Sequence, residues 1–173
     1  MTELFDLYDE KMHPLGELCE RGDPIPRGKY HLIVNIVAVN FENKVLITKR
    51  SLSKTFPGQW EITGGSVISG ETPRQGAVRE LKEETGLTVL PDALDCRGHM
   101  IFKSDIHNHI NIFYLFRGDF HENSIVLQPG ETDAARLVYP AEIERMAKEG
   151  EFISYLYLRI KAFFADIFGE KMP

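Results

Sequence analysis

The sequence predicts an α+β fold, and three observations predict it. Short runs rich in β-branched and aromatic residues recur between residues 30 and 139. A single capped helix interrupts them near the middle, between Thr72 and Gly86. Apolar residues at helical spacing return after Pro140 and continue toward the C-terminus. With 173 residues, the chain is long enough for one domain with a full core and too short for two comfortable ones. We read residues 1–173 as one domain on that basis.

Composition narrows the function classes. The formal net charge of −6 argues against non-specific nucleic-acid binding. The two cysteines, Cys19 and Cys96, show no paired spacing, which suits a reducing cytoplasm better than a disulfide or zinc framework. The opening MTELFDLYDEK has neither the basic region nor the apolar core of a signal peptide. No apolar run reaches membrane-spanning length. The expectation is a cytoplasmic protein with no nucleic-acid and no membrane partner.

Taken in order, residues 1–29 are an arm ahead of the main fold. Leu4, Phe5, Leu7 and Tyr8 are apolar, Asp9 to Gly16 reads as a turn, and a second turn follows Cys19 at Arg21-Gly22-Asp23-Pro24. A small hairpin is the natural reading. HLIVNIVAVN (31–40) is a buried strand, Phe41-Glu42-Asn43 a turn, and KVLITKR (44–50) the returning strand.

The central helix is announced by agreeing signals. Thr72 is an N-cap, Pro73 suits the first helical position, Gln75 completes a capping box, and Gly86 is placed to stop the helix. Ala77, Val78, Leu81 and Thr85 fall on the buried face. Glu80, Glu83 and Glu84, spaced i, i+3 and i+4, gather on another face. A solvated acidic surface is one account of them. A bound cation is the other, because Arg79 or Lys82 alone does not neutralise three like charges. Oxygen-only donors favour a hard ion, Mg²⁺ before Mn²⁺ or Ca²⁺, and Mg²⁺ usually shares its coordination with substrate phosphates.

The stretch GSVISGETPRQGAVRELKEETGL (65–87) decides between these accounts. Its spacing, G-x5-E-x7-R-E-L-x-E-E-x-G-L, resembles the signature of the Nudix hydrolases at every defined position. The resemblance covers about residues 30–148, with residues 149–173 as a C-terminal helix beyond it. It implies an α/β/α sandwich around a mixed sheet. It implies that Glu80, Glu83 and Glu84 bind divalent metal, with any of them helping to activate the attacking water. Arg79 would pair with Glu71 and hold the loop against the helix, and the Gly64 carbonyl would supply a further metal ligand. The reaction implied is water attack at phosphorus, cutting a diphosphate linked to some moiety X, with Mg²⁺ (or Mn²⁺) neutralising phosphate charge.

The resemblance extends to weaker positions. Lys49 and Arg50 end a strand where many family members place a phosphate-contacting base; a solvated strand-end pair is the alternative. FPGQWE (56–61) resembles the segment that leads a short strand into the signature, with Trp60 as packing. The arm, LYDEKMHPLG, resembles that of isopentenyl diphosphate isomerases, where His31 would sit at a metal-binding position; a structural histidine is the plainer reading. Those isomerases need a cysteine and a histidine shortly after the Pro-Gly-Trp region, and Thr63-Gly64-Gly65-Ser66-Val67 holds neither.

After the signature, residues 94–103 and 110–117 read as two strands joined by a loop carrying His107 and His109, expected to contact substrate. Four of the six histidines lie between His99 and His121, yet their spacing fits no zinc motif. Glu131, in the acidic loop 128–133, is a candidate general base or extra metal ligand, with a surface loop as the alternative. A strand at 135–139, a helix at 140–148 and a last helix at 152–168 complete the chain. The last helix is mostly core and leaves a homodimer contact open. A family member that had lost catalysis would be a binding module, but such proteins lose box glutamates or the arginine, and this chain keeps them all.

Overall fold

The run His31–Asn40 becomes β3, and both faces of that strand are buried, as its unbroken β-branched composition requires. The computed structural model describes residues 2–169. β1 (Leu4–Tyr8) and β2 (Pro14–Glu20) pair as the expected N-terminal hairpin. β4 (Val45–Arg50), β5 (Trp60–Glu61) and β6 (Thr63–Ser66) lead into α1 (Pro73–Thr85). β7 (Leu94–Phe102), β8 (His109–Gly118) and β9 (Thr132–Val138) follow, then α2 (Pro140–Lys148), α3 (Ser154–Phe163) and α4 (Ala165–Phe168).

The main sheet has the path β5-β4-β3-β8-β7, with β6 added to β3 and β9 to β4. β3 and β8 run parallel in register from His31 opposite His109 to Asn40 opposite Gly118, and the other pairings are antiparallel. The sheet is therefore mixed. Alternation along β3 splits the core into two layers. Val34, Ile36 and Ala38 pack with Ala77 and Leu81 of α1, whereas Val37 and Val39 pack with Ile143, Leu156, Ile160 and Phe164 of the C-terminal helical region. The result is the expected sandwich of helix, sheet and helix. No helix among the described residues is long and apolar enough to cross a membrane.

The hairpin is tied to the loop before α1. The Ser69 amide donates to the Leu4 carbonyl at 2.7 Å, and Asp6 accepts from the Gly70 amide at 2.9 Å and from Ser69 Oγ at 3.1 Å. Tyr8 and Tyr30 exchange backbone bonds at 2.8 and 2.9 Å.

Two elements differ from expectation. The helix expected over 152–168 is broken at Phe164, whose φ of −125° and ψ of 43° leave the helical region. Phe164 is fully buried, edge-on to Phe113, so docking that ring turns the backbone; Phe152 meanwhile bridges to Trp60 rather than starting the helix. The last sheet strand begins at Thr132, not Ala135, because β9 stays paired to β4 as far as Arg50. Trp60 is buried as packing, with the Arg136 guanidinium 4.9 Å from its ring centre.

Candidate active site

The capping box forms as the sequence predicts. Gln75 N donates to Thr72 Oγ1 at 3.3 Å, Thr72 N donates to Gln75 Oε1 at 2.8 Å, and Gly86 closes the helix with φ 75°. These local bonds set the rotation of α1. Ala77, Leu81 and Thr85 face the sheet, and the glutamates face the loop.

Arg79 is the hub of that face. Its Nε and Nη2 fork onto Glu71 at 2.8 and 3.0 Å, and Nη2 also donates to the Ser66 carbonyl at 2.8 Å. Nη1 donates to Glu80 at 2.7 Å and to Glu83 at 3.0 Å. The pairing with Glu71 is the one the resemblance implied. Burial alone would lower the Arg79 pKa, but its bonds to Glu71 and Glu80 raise it above the usual guanidinium value. The sequence reading underrated this arginine. One guanidinium reaches both Glu80 and Glu83, and among the described residues no ready-made cluster of His, Cys, Asp or Glu stands at metal-binding geometry.

Glu84 is the glutamate that Arg79 does not reach. The residue is half-buried, but its Oε2 is buried and has no hydrogen-bond partner. Burial first, then Glu61 and Glu80, push its carboxyl well above the ordinary value, while a bond from the Gly64 amide works the other way. Burial likewise raises Glu80 despite its bond to Arg79. Glu61 rises too, although Arg50 Nη1 donates to both of its carboxylate oxygens at 2.7 and 2.8 Å; desolvation outweighs the pair. An unpaired buried carboxylate oxygen beside further carboxylates suits a hard divalent cation, so the donor set fits the implied metal.

One cavity opens at the α1 glutamates and another along β6. The first, about 260 Å³, is lined by Glu80, Glu83, Glu84, Glu131, Lys54 and Arg21 among others. Glu131 thus stands beside the α1 glutamates, ion-paired to Lys54. The second, about 250 Å³, is lined by Gly64, Gly65, Asn35, His109, Asn111 and Arg159 among others. The β6 residues Gly64, Gly65 and Ser66 line the second. A Cβ on Gly65 would sit 2.2 Å from the Glu80 carboxylate, so a larger residue there would displace that carboxylate.

The remaining expected contacts divide. Arg50 and His109 line the second cavity. Lys49 lines neither; it falls on the opposite strand face, its ammonium 6.0 Å from the Trp60 ring centre. His107 also lines neither; with His31 it lines a third space beneath the hairpin, which shares Thr55 and Ser66 with the second cavity and Arg21 with the first. The turn that carries it is locked by Asn108, which accepts from the Ser104 amide at 2.8 Å and donates to the Ile25 carbonyl at 2.8 Å. Cys19 is buried in the hairpin and Cys96 is exposed on β7, away from both cavities. Sequence reasoning missed Asn35, Asn111, Tyr155 and Arg159. The signal available was a lone asparagine inside each of two otherwise apolar strands.

His31 and His109 sit side by side on β3 and β8, ring centres 5.9 Å apart. Burial, followed for His31 by His109 and for His109 by Arg159, pushes each imidazole down to about 4. The unfolded chain takes up protons near pH 6.5 that the folded chain refuses until about pH 4, so stability should fall as pH drops through that window. Each depression is worth at most about 3 kcal/mol; after screening of these partly solvated rings, ~2 kcal/mol apiece is expected. Urea midpoints between pH 7 and 4 test this. His109→Gln should flatten the profile, and an unchanged slope would rule out His109 as its source.

Comparison with known proteins now places the chain. The model of the NUDIX domain matches residues 29–158. The chain belongs to the Nudix family. It is 30% identical over 158 residues to an uncharacterized Nudix hydrolase of Listeria monocytogenes, covering 90% of this chain and 91% of that one. It is 40% identical over 60 residues to the 8-oxo-dGTP diphosphatase of Escherichia coli, 35% of this chain and 46% of that one. Its fold is similar to the crystal structure of a Deinococcus radiodurans protein, with TM-score 0.72 and 25% identity over 94% of this chain and 99% of that one. This Nudix protein is an enzyme of the pyrophosphohydrolase type.

Proposed function

We propose that this Nudix protein is a metal-dependent hydrolase that cleaves the diphosphate of a nucleoside, or another group X, by water attack at phosphorus. The observation that carries this reading is Glu84, whose buried Oε2 is unpaired and which lines one cavity with Glu80, Glu83 and Glu131. Glu80, Glu83 and Glu84 would hold a divalent ion, Mg²⁺ before Mn²⁺, with the Gly64 carbonyl as a further candidate ligand. When bound, that ion supplies charge neutralisation at phosphate and lowers the pKa of water.

The chain's own residues do the rest. Arg79 keeps Glu71 and the Ser66 carbonyl fixed, so the loop would stay against α1 if Glu80 and Glu83 were to hold a cation in place of its Nη1. Glu131, which lines the same cavity, would accept a proton from the attacking water, and releasing Lys54 from it would free that ammonium for a phosphate oxygen. Arg50, held by Glu61, orders a wall of the second cavity rather than offering a free charge. A cytoplasmic location accords with two free cysteines.

Turnover of a diphosphate panel tests the reading: nucleoside triphosphates, nucleotide sugars, dinucleotides and isopentenyl diphosphate, with Mg²⁺ and then with EDTA. Cleavage of one class, lost by about 100-fold or more in EDTA, is the expected result. Cleavage that persists in EDTA, or isomerised but uncleaved isopentenyl diphosphate, would overturn it.

A further inference from the structure

The N-terminal hairpin lies outside residues 29–158, the stretch matched as a NUDIX domain, yet Glu3 and Arg21 at its open end line the cavity of the α1 glutamates. Pairing between β1 and β2 carries one step past the strands, where the Arg21 amide donates to the Glu3 carbonyl at 2.9 Å. The side chains meet there as well. Arg21 Nε and Nη2 reach the same Glu3 carboxylate oxygen at 2.7 and 2.6 Å. Phe5 backs the pair, its ring centre 5.8 Å from the guanidinium. Asp6 in turn fixes the hairpin to Ser69 and Gly70, on the loop that Arg79 holds through Ser66 and Glu71. Arg21 is thus placed at the glutamates by bonds that run through the arm and the loop.

Five glutamates and three cations line this cavity, an excess of two negative charges that one divalent ion would balance. A diphosphate entering with that ion brings further negative charge, and a cation of the chain has to meet it. Arg79 cannot do so without letting go of the loop, because its nitrogens are taken up by Glu71, Glu80, Glu83 and the Ser66 carbonyl. Lys54 is paired with Glu131, and its side chain is 29% exposed. The Arg21 side chain is 55% exposed, and among the described residues Glu3 is the one carboxylate paired with it. Its planar fork of donors matches phosphate oxygens two at a time.

We propose that Arg21 is a diphosphate-binding residue, and that the N-terminal hairpin supplies the active site with a cation from outside the NUDIX domain. This rests on the hydrolase reading and deepens it, by naming a substrate contact that the arm contributes. Glu3 competes with phosphate for the same guanidinium and so limits the affinity. The contact is to phosphate and not to X, so it acts alike on every substrate that carries a diphosphate.

The probe is methylenediphosphonate, which carries no X and is not hydrolysed, titrated by calorimetry in Mg²⁺. Arg21→Ala is expected to bind it about tenfold or more weakly, and Arg21→Lys to recover part of the loss. Glu3→Gln breaks the same ion pair but leaves the guanidinium, and should bind at least as tightly as wild type. That sign separates a phosphate contact from a strut of the hairpin, because a strut would be lost alike in Arg21→Ala and Glu3→Gln. Melting curves check that the variants fold, and Mg²⁺ titrated alone should bind Arg21→Ala no more weakly than wild type. Equal weakening in Arg21→Ala and Glu3→Gln would overturn the assignment, as would Arg21→Ala within about twofold of wild type. Weaker binding of Mg²⁺ alone, or a wild type that takes up no methylenediphosphonate, would overturn it too. If binding follows Arg21 while no member of the diphosphate panel is cleaved, the hydrolase reading fails and the Arg21 assignment stands.

Discussion

Replacing Glu84 by glutamine is expected to cut kcat/KM by about 100-fold or more while making the metal-free protein more stable. The two effects share one cause. Glu84 Oε2 is buried and meets no donor, and Glu61 and Glu80 crowd the carboxylate with like charge. Removing the charge relieves that cost. A gain of about 1 kcal/mol is the reasonable order, or a rise of roughly 2–4 °C in Tm for a chain of this size. Adding Mg²⁺ should reverse the ranking, because only a chain that binds the ion gains stability from it. Melting curves with and without Mg²⁺, beside initial rates, read both effects. A variant that melts lower without metal, or that keeps its rate, would show that Glu84 is an ordinary buried acid.

What could be read from the sequence here followed the range of the interactions. Thr72, Pro73, Gln75 and Gly86 act within one or two turns of their own helix, so the bounds of α1 were visible as a string. The same holds for Arg79, Glu80, Glu83 and Glu84, whose spacing alone puts them on neighbouring faces. Glu131 was legible only as a candidate: no spacing connects it to α1, and it arrives there because β9 pairs with β4. Lys49 and Arg50 show a different limit. Neighbours in a strand face opposite ways, so only one could turn toward the cavity, and the sequence does not say which. Asn35, Asn111, Tyr155 and Arg159 are farther still. They meet because β3 and β8 run parallel and α3 folds back across that face, a juxtaposition with no local signature. The break at Phe164 belongs with these, since a helical stripe cannot reveal that one of its rings docks on Phe113.

Arg79→Ala should cost both stability and rate, and Arg79→Lys should recover only part of each. Alanine leaves Glu71 and Glu80 facing each other without the cation, and frees the Ser66 carbonyl. Breaking a buried pair costs about 3–5 kcal/mol; this guanidinium is 23% exposed, so ~2–3 kcal/mol is the discounted figure. At roughly 2–4 °C per kcal/mol, Tm should drop by about 5–10 °C. Lysine restores a charge but has no planar fork, so it cannot hold both Glu71 oxygens and reach Ser66 and Glu80 as well. The rate should fall at least about tenfold, because the Ser66–Glu71 loop that passes over α1 would no longer be held at the glutamates. The lysine variant makes the experiment decisive. If it matched wild type in both Tm and rate, charge alone would account for Arg79, and the fork onto Glu71 would have no part in holding the loop. If alanine lost rate but no stability, Arg79 would act on the reacting groups and not through the loop at all.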